Sequence, residues 1–173
     1  MKKTDLKNKI RSIPDFPKKG VIFRDITPVL QDKKAFRFLI NEMVKPYKNK
    51  KIDKVVGIDA RGFLLAAPIA YKLKAGLCIV RKKGKLPYQT VAQNYSLEYG
   101  QETIEMHKDS ILPGEKILIV DDVIATGGTL EATANLVERL GGKIVGIVVF
   151  VELKALKGRE KLKKYRFYSL VKF

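Results

Sequence analysis

Short apolar runs and longer segments with helical spacing alternate along most of the chain. The runs with the length and apolar content of buried parallel strands cover residues 54–59, 77–80, 116–122 and 144–151. The segments in which apolar side chains recur at helical spacing cover residues 32–47, 62–74 and 129–140. Strands that alternate with helices predict an α/β fold, in which a central parallel sheet is flanked by helices.

Two regions depart from this alternation. Residues 88–108 switch to a two-residue alternation of polar and apolar side chains, which predicts an antiparallel ribbon. Residues 1–30 and the segment after residue 153 lie outside the pattern. We expect both to cap the carboxyl ends of the strands, where such sheets bind ligands. Residues 1–173 are therefore expected to form a single domain, with residues 1–30 as a hood and residues 88–108 as the ribbon.

The composition fits such a domain and excludes several classes of protein. The 173 residues are 46% hydrophobic, which is enough for one core. The longest stretch without charged or strongly polar side chains, residues 62–71, is too short to span a membrane, and we expect no secretory signal. Cys78 and His107 are the only residues of their types, so an intrachain disulfide is impossible and a zinc site is not expected. We expect both residues to be structural and the location to be cytoplasmic.

The net charge is the unusual feature of the composition. The chain has 35 Lys and Arg against 18 Asp and Glu, a formal net charge of +17 at pH 7. Such a surplus attracts polyanions. Lysines dominate it and are spread along the chain, whereas specific phosphate recognition tends to favour arginine. We therefore interpret the surplus as solvated lysine, and expect no specific nucleic acid and no membrane partner.

Residues 117–129 carry the clearest chemical signal. A buried strand ends in Asp121 and Asp122, and a Thr/Gly turn then leads directly into a helix. Glycines in such a turn aim backbone N–H groups at one point, and the helix N-terminus favours a phosphate monoester there. The acids would repel that phosphate and suit a neighbouring polyol or a metal ion. We therefore expect one ligand that contains both groups, a ribose 5-phosphate.

Two familiar nucleotide-binding loops and an ordinary helix cap fit this segment less well. The helix start lacks the Gly-Lys-Ser/Thr of a Walker loop, and the Rossmann dinucleotide fingerprint is absent. An acidic N-cap before an ordinary helix is the structural alternative. A cap needs only one acid, however, and a second acid would be costly at the end of a buried strand.

The acid pair and the Ala-Thr-Gly-Gly-Thr loop that follows it resemble the phosphoribosyl pyrophosphate signature of the type I phosphoribosyltransferases. Further segments are similar to the adenine-specific members of that family, at residues 14–17, 20–26, 60–63, 81–87, 95–100 and 168–170. The resemblance implies the type I phosphoribosyltransferase fold. It also implies conversion of adenine and phosphoribosyl pyrophosphate to AMP and pyrophosphate, for purine salvage. A homodimer, and Mg²⁺ held mainly by substrate and water, are further implications.

Positions that match the family's motifs imply a role for individual residues. Those implied to hold the ribose 5-phosphate are Asp121, Asp122, Ala125, Thr126, Gly127, Gly128 and Thr129. Those implied to hold the pyrophosphate are Asp59, Ala60, Arg61, Arg81, Lys82 and Lys85, with Arg81 reaching a neighbouring subunit's site. Those implied to contact adenine are Ile22, Phe23, Arg24 and Leu153. The implied catalytic residues are Arg61, Glu98, which handles the imidazole proton of adenine, and Tyr99, which shields the site.

Several alternatives stay open from the residues alone. Phe23 fits an ordinary hood core equally well, and Glu98 fits a surface acid of the ribbon, where Glu102 and Glu105 are expected to take no part in the reaction. A sibling transferase for hypoxanthine, guanine, xanthine or orotate would share the ribose-phosphate loop but not the segments around Phe23 and Glu98. A phosphoribosyl-pyrophosphate-sensing regulator would explain the positive charge, but it would need an additional nucleic-acid-binding element.

Overall fold

The computed structural model describes residues 1–97 and 100–173. The strands are β1 (Arg11–Pro14), β2 (Ile22–Asp25), β3 (Lys54–Ile58), β4 (Gly76–Lys82), β5 (Thr90–Leu97), β6 (Gly100–His107), β7 (Lys116–Ile124), β8 (Lys143–Glu152) and β9 (Phe167–Lys172). The α-helices are α1 (Lys3–Lys9), α2 (Thr27–Gln31), α3 (Lys33–Val44), α4 (Arg61–Leu73) and α5 (Gly128–Arg139). Short 3₁₀ turns cover Lys45–Tyr47, Lys154–Leu156 and Gly158–Leu162.

A mixed sheet of seven strands, in the order β5-β6-β4-β3-β7-β8-β9, forms the centre of the molecule. Strands β4, β3, β7, β8 and β9 run parallel to one another, whereas β6 is antiparallel to both β4 and β5. The predicted α/β fold is therefore confirmed, and the predicted ribbon is the β5–β6 hairpin. The ribbon extends the main sheet through the pair Arg81–Glu105, so it lies directly beside the end of β4.

Both faces of the parallel strands are buried, which explains their continuous apolar runs. Along β7, Leu118 and Val120 belong to the core cluster that contains the apolar residues of α3 and α4. Ile117 and Ile119 point to the other face and belong to the cluster that contains those of α5. The helices therefore cover both faces of the sheet but not the carboxyl ends of its strands.

The C-terminal segment differs from the expectation that it caps the strands. Its last part is β9, an edge strand of the main sheet that runs parallel to β8 with Val171 opposite Val151. Leu170 and Val171 are buried and belong to the larger core cluster. The hydrophobic pattern does not reveal this strand because Ser169 and Lys172 interrupt its apolar residues and a lysine-rich stretch precedes it.

Residues 1–30 form α1, the antiparallel pair β1–β2 and α2. Leu6, Ile26 and Val29 are fully buried in the larger core cluster, which fixes this segment to the body of the protein. Phe23 of β2 lines a cavity together with Ile58, the last residue of β3. The segment therefore covers the carboxyl end of the sheet, as the sequence predicted.

Two glycines bring α4 unusually close to the strands. A Cβ placed on Gly57 would lie 2.6 Å from the Cβ of Ala66, and a Cβ placed on Gly62 would lie 2.8 Å from Oδ1 of Asp121. Both distances are shorter than side chains tolerate, so only glycine permits this approach. The N-terminus of α4, with Arg61 as its first residue, consequently lies against the end of β7.

Cys78 and His107 occupy packing positions. The Cys78 thiol donates a hydrogen bond to the Ser110 carbonyl at 3.0 Å, and burial raises the pKa of this thiol to about 11. Such a thiol is a poor nucleophile at neutral pH. The ring of His107 packs edge-on against Tyr88, with 6.1 Å between the centroids. Across the part of the chain that the structure describes, no helix is both long and apolar enough to cross a membrane.

Candidate active site

A cavity of about 420 Å³ opens at the carboxyl ends of β3 and β7. It is lined by Phe23, Ile58, Asp59, Ala60, Arg61, Val80, Arg81, Lys82, Tyr95, Ile104, Asp121, Asp122 and Thr129. A smaller cavity of about 90 Å³ is lined by the loop that joins β7 to α5, and it shares Asp121 and Thr129 with the first. The two cavities lie where open α/β sheets bind their ligands.

Asp121 and Asp122 form a buried acid pair near the C-terminal end of β7. Their exposed fractions are 9% and 6%, and Asp121 Oδ1 accepts a hydrogen bond from the Asp122 N–H at 2.8 Å. Burial raises the pKa of Asp121 well above its ordinary value, and the charge of Asp122 raises it further. Burial also raises the pKa of Asp122, although Arg61 opposes that rise. The structure thus brings the predicted pair together in a site that disfavours two ionised carboxylates.

Arg61 supplies the positive charge that faces the acid pair. Its Nε lies 2.8 Å from Asp122 Oδ2, and its guanidinium lies 4.8 Å from the ring centroid of Phe23. Asp122 Oδ2 is buried without a hydrogen bond to any described residue, so its contact with Arg61 is an ion pair without hydrogen-bond geometry. A buried acceptor beside a cavity can accept a hydrogen bond from a hydroxyl group of a ligand.

The loop between β7 and α5 has the geometry of an anion site. Gly127 is the N-cap of α5, and its φ of 81° lies in the left-handed region that favours glycine. Gly127 and Gly128 are buried, whereas Thr126 is exposed at the tip of the loop. The first N–H groups of a helix have no partners within the helix. The smaller cavity therefore lies beside several such N–H donors and the positive end of the helix dipole.

A second group of charged residues lines the larger cavity beside Asp59. Arg81 Nε donates a hydrogen bond to Asp59 Oδ2 at 3.0 Å, and Arg81 Nη1 donates one to the Lys85 carbonyl at 3.2 Å. The peptide bond between Asp59 and Ala60 is cis. Arg81 faces the cavity of its own chain here, and its reach into a neighbouring subunit stays a prediction. The side chain of Lys85 is exposed and does not line either cavity.

A polar network at the root of the ribbon is not evident from the sequence. Lys82 Nζ donates a hydrogen bond to Glu102 Oε1 at 2.9 Å, and the Tyr95 hydroxyl donates one to Glu102 Oε2 at 2.8 Å. The bond from Lys82 lowers the pKa of Glu102. Burial raises the pKa of Tyr95, which lines the larger cavity together with Thr129. The network therefore joins Lys82 of β4 to Tyr95 of β5 through Glu102 of β6.

Glu105, which the sequence analysis expected to take no part in the reaction, has a structural role in the ribbon. It is buried, and its Oε2 accepts a hydrogen bond from the Gly84 N–H at 3.0 Å. Glu102 therefore holds the last residue of β4, and Glu105 holds the turn that follows it. Their partners lie about twenty residues away in sequence, and a two-residue alternation carries no information on partners at that separation.

The residues expected at adenine are only partly brought together. Phe23 lines the larger cavity, and its ring packs edge-on against Phe16 with 5.2 Å between the centroids. Ile22 beside it is 52% exposed. Leu153 packs against the larger core cluster at the end of β8. The cavity therefore contains one of the expected apolar contacts, in the form of Phe23.

Two further expectations have different outcomes. The side chain of Arg24 points away from the cavity lining, because it donates a hydrogen bond to the Ser12 hydroxyl and lies 4.0 Å from the ring centroid of Phe173. Glu98 and Tyr99, the expected catalytic residues of the ribbon, lie outside the described residues.

A buried acid pair, a glycine turn at a helix N-terminus and neighbouring arginines at the end of an α/β sheet have the chemistry of a site for a phosphorylated sugar. A family model of the phosphoribosyl transferase domain matches residues 26–172. The chain belongs to the phosphoribosyltransferase family.

Individual relatives narrow the comparison. The adenine phosphoribosyltransferase of Ruminiclostridium cellulolyticum is 56% identical over 171 residues, which cover 98% of this chain and 99% of the relative. The crystal structure of the adenine phosphoribosyltransferase from Rhodothermus marinus is 50% identical with a TM-score of 0.96, covering 99% of this chain and 98% of that one. The APRTase from Giardia lamblia, complexed with 9-deazaadenine, is 40% identical with a TM-score of 0.95, covering 100% of this chain and 98% of that one. The resemblance to the adenine-specific members is confirmed.

The buried acid pair predicts an unusual dependence of stability on pH. The pKa of folded Asp121 lies above its ordinary value of 3.8, so stability is lost as the pH rises from that ordinary value through the folded pKa. We expect Asp121→Asn to raise the Tm by a few degrees near pH 8, because the amide keeps the acceptor for the Asp122 N–H and removes the charge. Thermal unfolding should show this gain shrinking as the pH falls to about 4.

Asp109→Asn is the matched control, since Asp109 is exposed in the turn after β6. Its Tm should stay close to that of the wild type at both pH values. A lower Tm of Asp121→Asn near pH 8, or a gain of equal size at both pH values, would contradict the assignment of a buried ionisable pair.

Proposed function

We propose that this protein transfers the phosphoribosyl group of phosphoribosyl pyrophosphate to N9 of adenine and releases AMP and pyrophosphate. One observation carries the proposal: the buried acid pair, the glycine loop and the arginines line two adjoining cavities. The chain's full-length relatives are adenine phosphoribosyltransferases, and the expected biological role is purine salvage.

The acid pair and the loop would bind different parts of the ribose 5-phosphate. Asp121 and Asp122 would accept hydrogen bonds from the ribose hydroxyls in the larger cavity. Backbone N–H groups of residues 125–129 would bind the 5-phosphate in the smaller cavity, with the Thr129 side chain at the boundary. This division keeps the phosphate away from the carboxylates, which would repel it.

The cationic residues suit the departing pyrophosphate. Arg61, Arg81 and Lys82 line the same cavity as the acid pair, so they can balance the charge that develops on the leaving group as its bond to C1 of the ribose breaks. The ribose then carries positive charge, which the carboxylates of Asp121 and Asp122 stabilise electrostatically. The protein's part is thus to position the reactants and to match the charge distribution of the transition state.

Mg²⁺ fits this donor set as an ion shared with the substrate. Among the described residues there is no group of three or more His, Cys, Asp and Glu side chains that could hold a metal ion. Mg²⁺ usually binds through one or two carboxylates together with substrate phosphates and water. Asp121 and Asp122 are the carboxylates that would face it, and the ion would reduce the negative charge of the pyrophosphate.

The adenine ring would pack against Phe23, with main-chain groups of Ile22 and Arg24 at its amino-pyrimidine edge and Leu153 on its other face. The Arg24 side chain itself points away from this cavity. As N9 bonds to C1 of the ribose, the imidazole ring of adenine loses its proton. We assign that proton to the carboxylate of Glu98, and we assign to Tyr99 the exclusion of water from the reacting atoms. In sequence, both residues fall between β5 and β6, and Glu102 of β6 and Tyr95 of β5 are joined to Lys82 beside the cavity.

The homodimer and the cytoplasmic location also stay predictions. Leu64 and Tyr71 are 51% and 87% exposed and lie two turns apart on α4, so they share one face of that helix. Exposed apolar side chains on one helix face support association with a second copy. The net charge of +17 on each chain opposes that association at low salt.

A panel of bases tests the substrate assignment. With phosphoribosyl pyrophosphate and Mg²⁺, we expect kcat/KM for adenine to exceed that for hypoxanthine, guanine, xanthine and orotate by at least about 10³-fold, because a site that hydrogen-bonds the adenine edge leaves polar groups unpaired with the other bases. Release of pyrophosphate measures each rate. A preference for any of the other bases would replace adenine in the proposal, and the absence of turnover with every base would contradict it.

The acid pair should matter for transfer more than for folding. We expect the double variant Asp121→Asn, Asp122→Asn to lower kcat/KM by at least about tenfold, because hydrogen bonds to charged groups contribute roughly 1.5–3 kcal/mol each. Steady-state kinetics on folded protein measures the loss. Unchanged kinetics in the double variant would exclude these carboxylates as ribose ligands.

Glu98→Gln tests the proton acceptor. The amide keeps the size of the side chain but is not basic, so we expect kcat to fall by roughly 10²-fold, within the range of general acid–base catalysis. Affinity for phosphoribosyl pyrophosphate should stay nearly unchanged, because Glu98 is assigned to the base. Asp109→Asn is the control, since Glu102 and Glu105 both hold other parts of the site. A kcat within about twofold of the wild type, with chemistry rate-limiting, would show that Glu98 is surface charge.

A further inference from the structure

Gly158 packs its backbone against the loop between β7 and α5. It is buried and begins the 3₁₀ turn Gly158–Leu162. A Cβ placed on Gly158 would lie 2.2 Å from the Ala125 carbonyl oxygen and 2.7 Å from the Gly127 nitrogen, and a Cβ placed on Gly127 would lie 2.3 Å from the Gly158 carbonyl oxygen. Two segments far apart in sequence therefore meet backbone to backbone.

Glycine is required at position 158 because the backbone of the loop leaves no space for a Cβ. Gly127 has a φ of 81°, so its backbone conformation alone favours glycine. The φ of Gly158 lies outside that left-handed region, so alanine would fit its conformation and would be opposed only by contact with the loop. Because those contacts are backbone atoms, rotation of a side chain cannot relieve the overlap.

The turn that contains Gly158 is anchored on two sides. Leu162 is fully buried in the core cluster that contains the apolar residues of α5. The guanidinium of Arg159 lies 5.2 Å from the ring centroid of Phe167 in β9. Thr126, by contrast, is exposed at the tip of the loop. A side chain at position 158 would therefore displace the loop rather than the turn.

We infer that Gly158 is a positioning residue for the 5-phosphate of the substrate. It supports the backbone of residues 125–127 from behind, so that their N–H groups converge on the smaller cavity. The inference rests on the proposed function, which assigns this loop to the 5-phosphate. A shift of the loop would misplace several donors at once, and a misplacement of about 1 Å can cost on the order of 10²-fold in rate.

The test compares Gly158→Ala with Gly142→Ala. A Cβ on Gly142 would lie 2.8 Å from the Val137 side chain and 3.0 Å from that of Ile117, so this control overpacks the core at the far end of α5. Calorimetric titration measures the affinities for AMP and for adenosine, which differ by the 5-phosphate. Initial rates at saturating adenine measure the KM for phosphoribosyl pyrophosphate.

We expect Gly158→Ala to weaken AMP binding and to raise this KM by at least about tenfold, while its affinity for adenosine stays within about twofold of the wild type. Gly142→Ala should lose thermal stability and keep its affinity for AMP. The inference is overturned if Gly158→Ala binds AMP as tightly as the wild type, or if AMP and adenosine weaken equally. A wild-type protein that binds neither AMP nor phosphoribosyl pyrophosphate would contradict the proposed function instead.

Hydrogen exchange on the wild-type protein covers the case in which Gly158→Ala does not fold. Ribose 5-phosphate contains the phosphate but no base. Adenine therefore cannot protect residues 157–162 indirectly by contacting Leu153, which lies just before them in sequence. We expect ribose 5-phosphate to slow amide exchange in residues 125–129 and also in residues 157–162, which support the loop without touching the ligand. Protection of residues 125–129 alone would overturn the inference.

Discussion

The carboxylates of Asp121 and Asp122 lie in the buried end of β7, and their burial constrains the elements around them. Removing an ionised carboxylate from water costs several kcal/mol unless an opposite charge or hydrogen bonds compensate. Arg61 provides the opposite charge from the first turn of α4, and it can do so only because Gly62 has no side chain between the helix and Asp121. The position of α4 against β7 therefore brings Arg61 close enough to offset part of the cost of burying the two carboxylates.

That compensation is incomplete in the free protein. A cation at a helix N-terminus is itself unfavourable, and Asp122 Oδ2 is buried without a hydrogen bond to the described residues. The pKa values of both acids are raised because burial disfavours the charged carboxylates more than Arg61 stabilises them. Under the proposed function, the hydroxyls of a ribose would supply the missing donors, and the phosphates would supply an anion for Arg61. The site is thus arranged for charges that arrive with the ligand.

The sequence predicted those parts of the molecule that depend on contiguous residues. The apolar run before Asp121 and the glycine turn after it together indicated a strand, an acid pair and an anion site, because local pattern determines each of them. The contact of Lys82 with Glu102 and that of Gly158 with Gly127 depend on segments distant in sequence, and hydrophobic spacing carries no such information. For the same reason, the outward direction of Arg24, toward Phe173, emerged only from the structure.

The cations of the larger cavity are each paired with an acid of the same chain. Arg61 Nε lies 2.8 Å from Asp122, Arg81 Nε lies 3.0 Å from Asp59, and Lys82 Nζ lies 2.9 Å from Glu102. The last pair is well exposed, and pairs of that kind contribute only about 0–1 kcal/mol. Under the proposed function, a pyrophosphate group would therefore separate Lys82 from Glu102 at little cost. Arg61 is paired with a buried acid, so separating that pair would cost more, and under the proposed function we expect Arg61 to keep its contact with Asp122 while it faces the pyrophosphate.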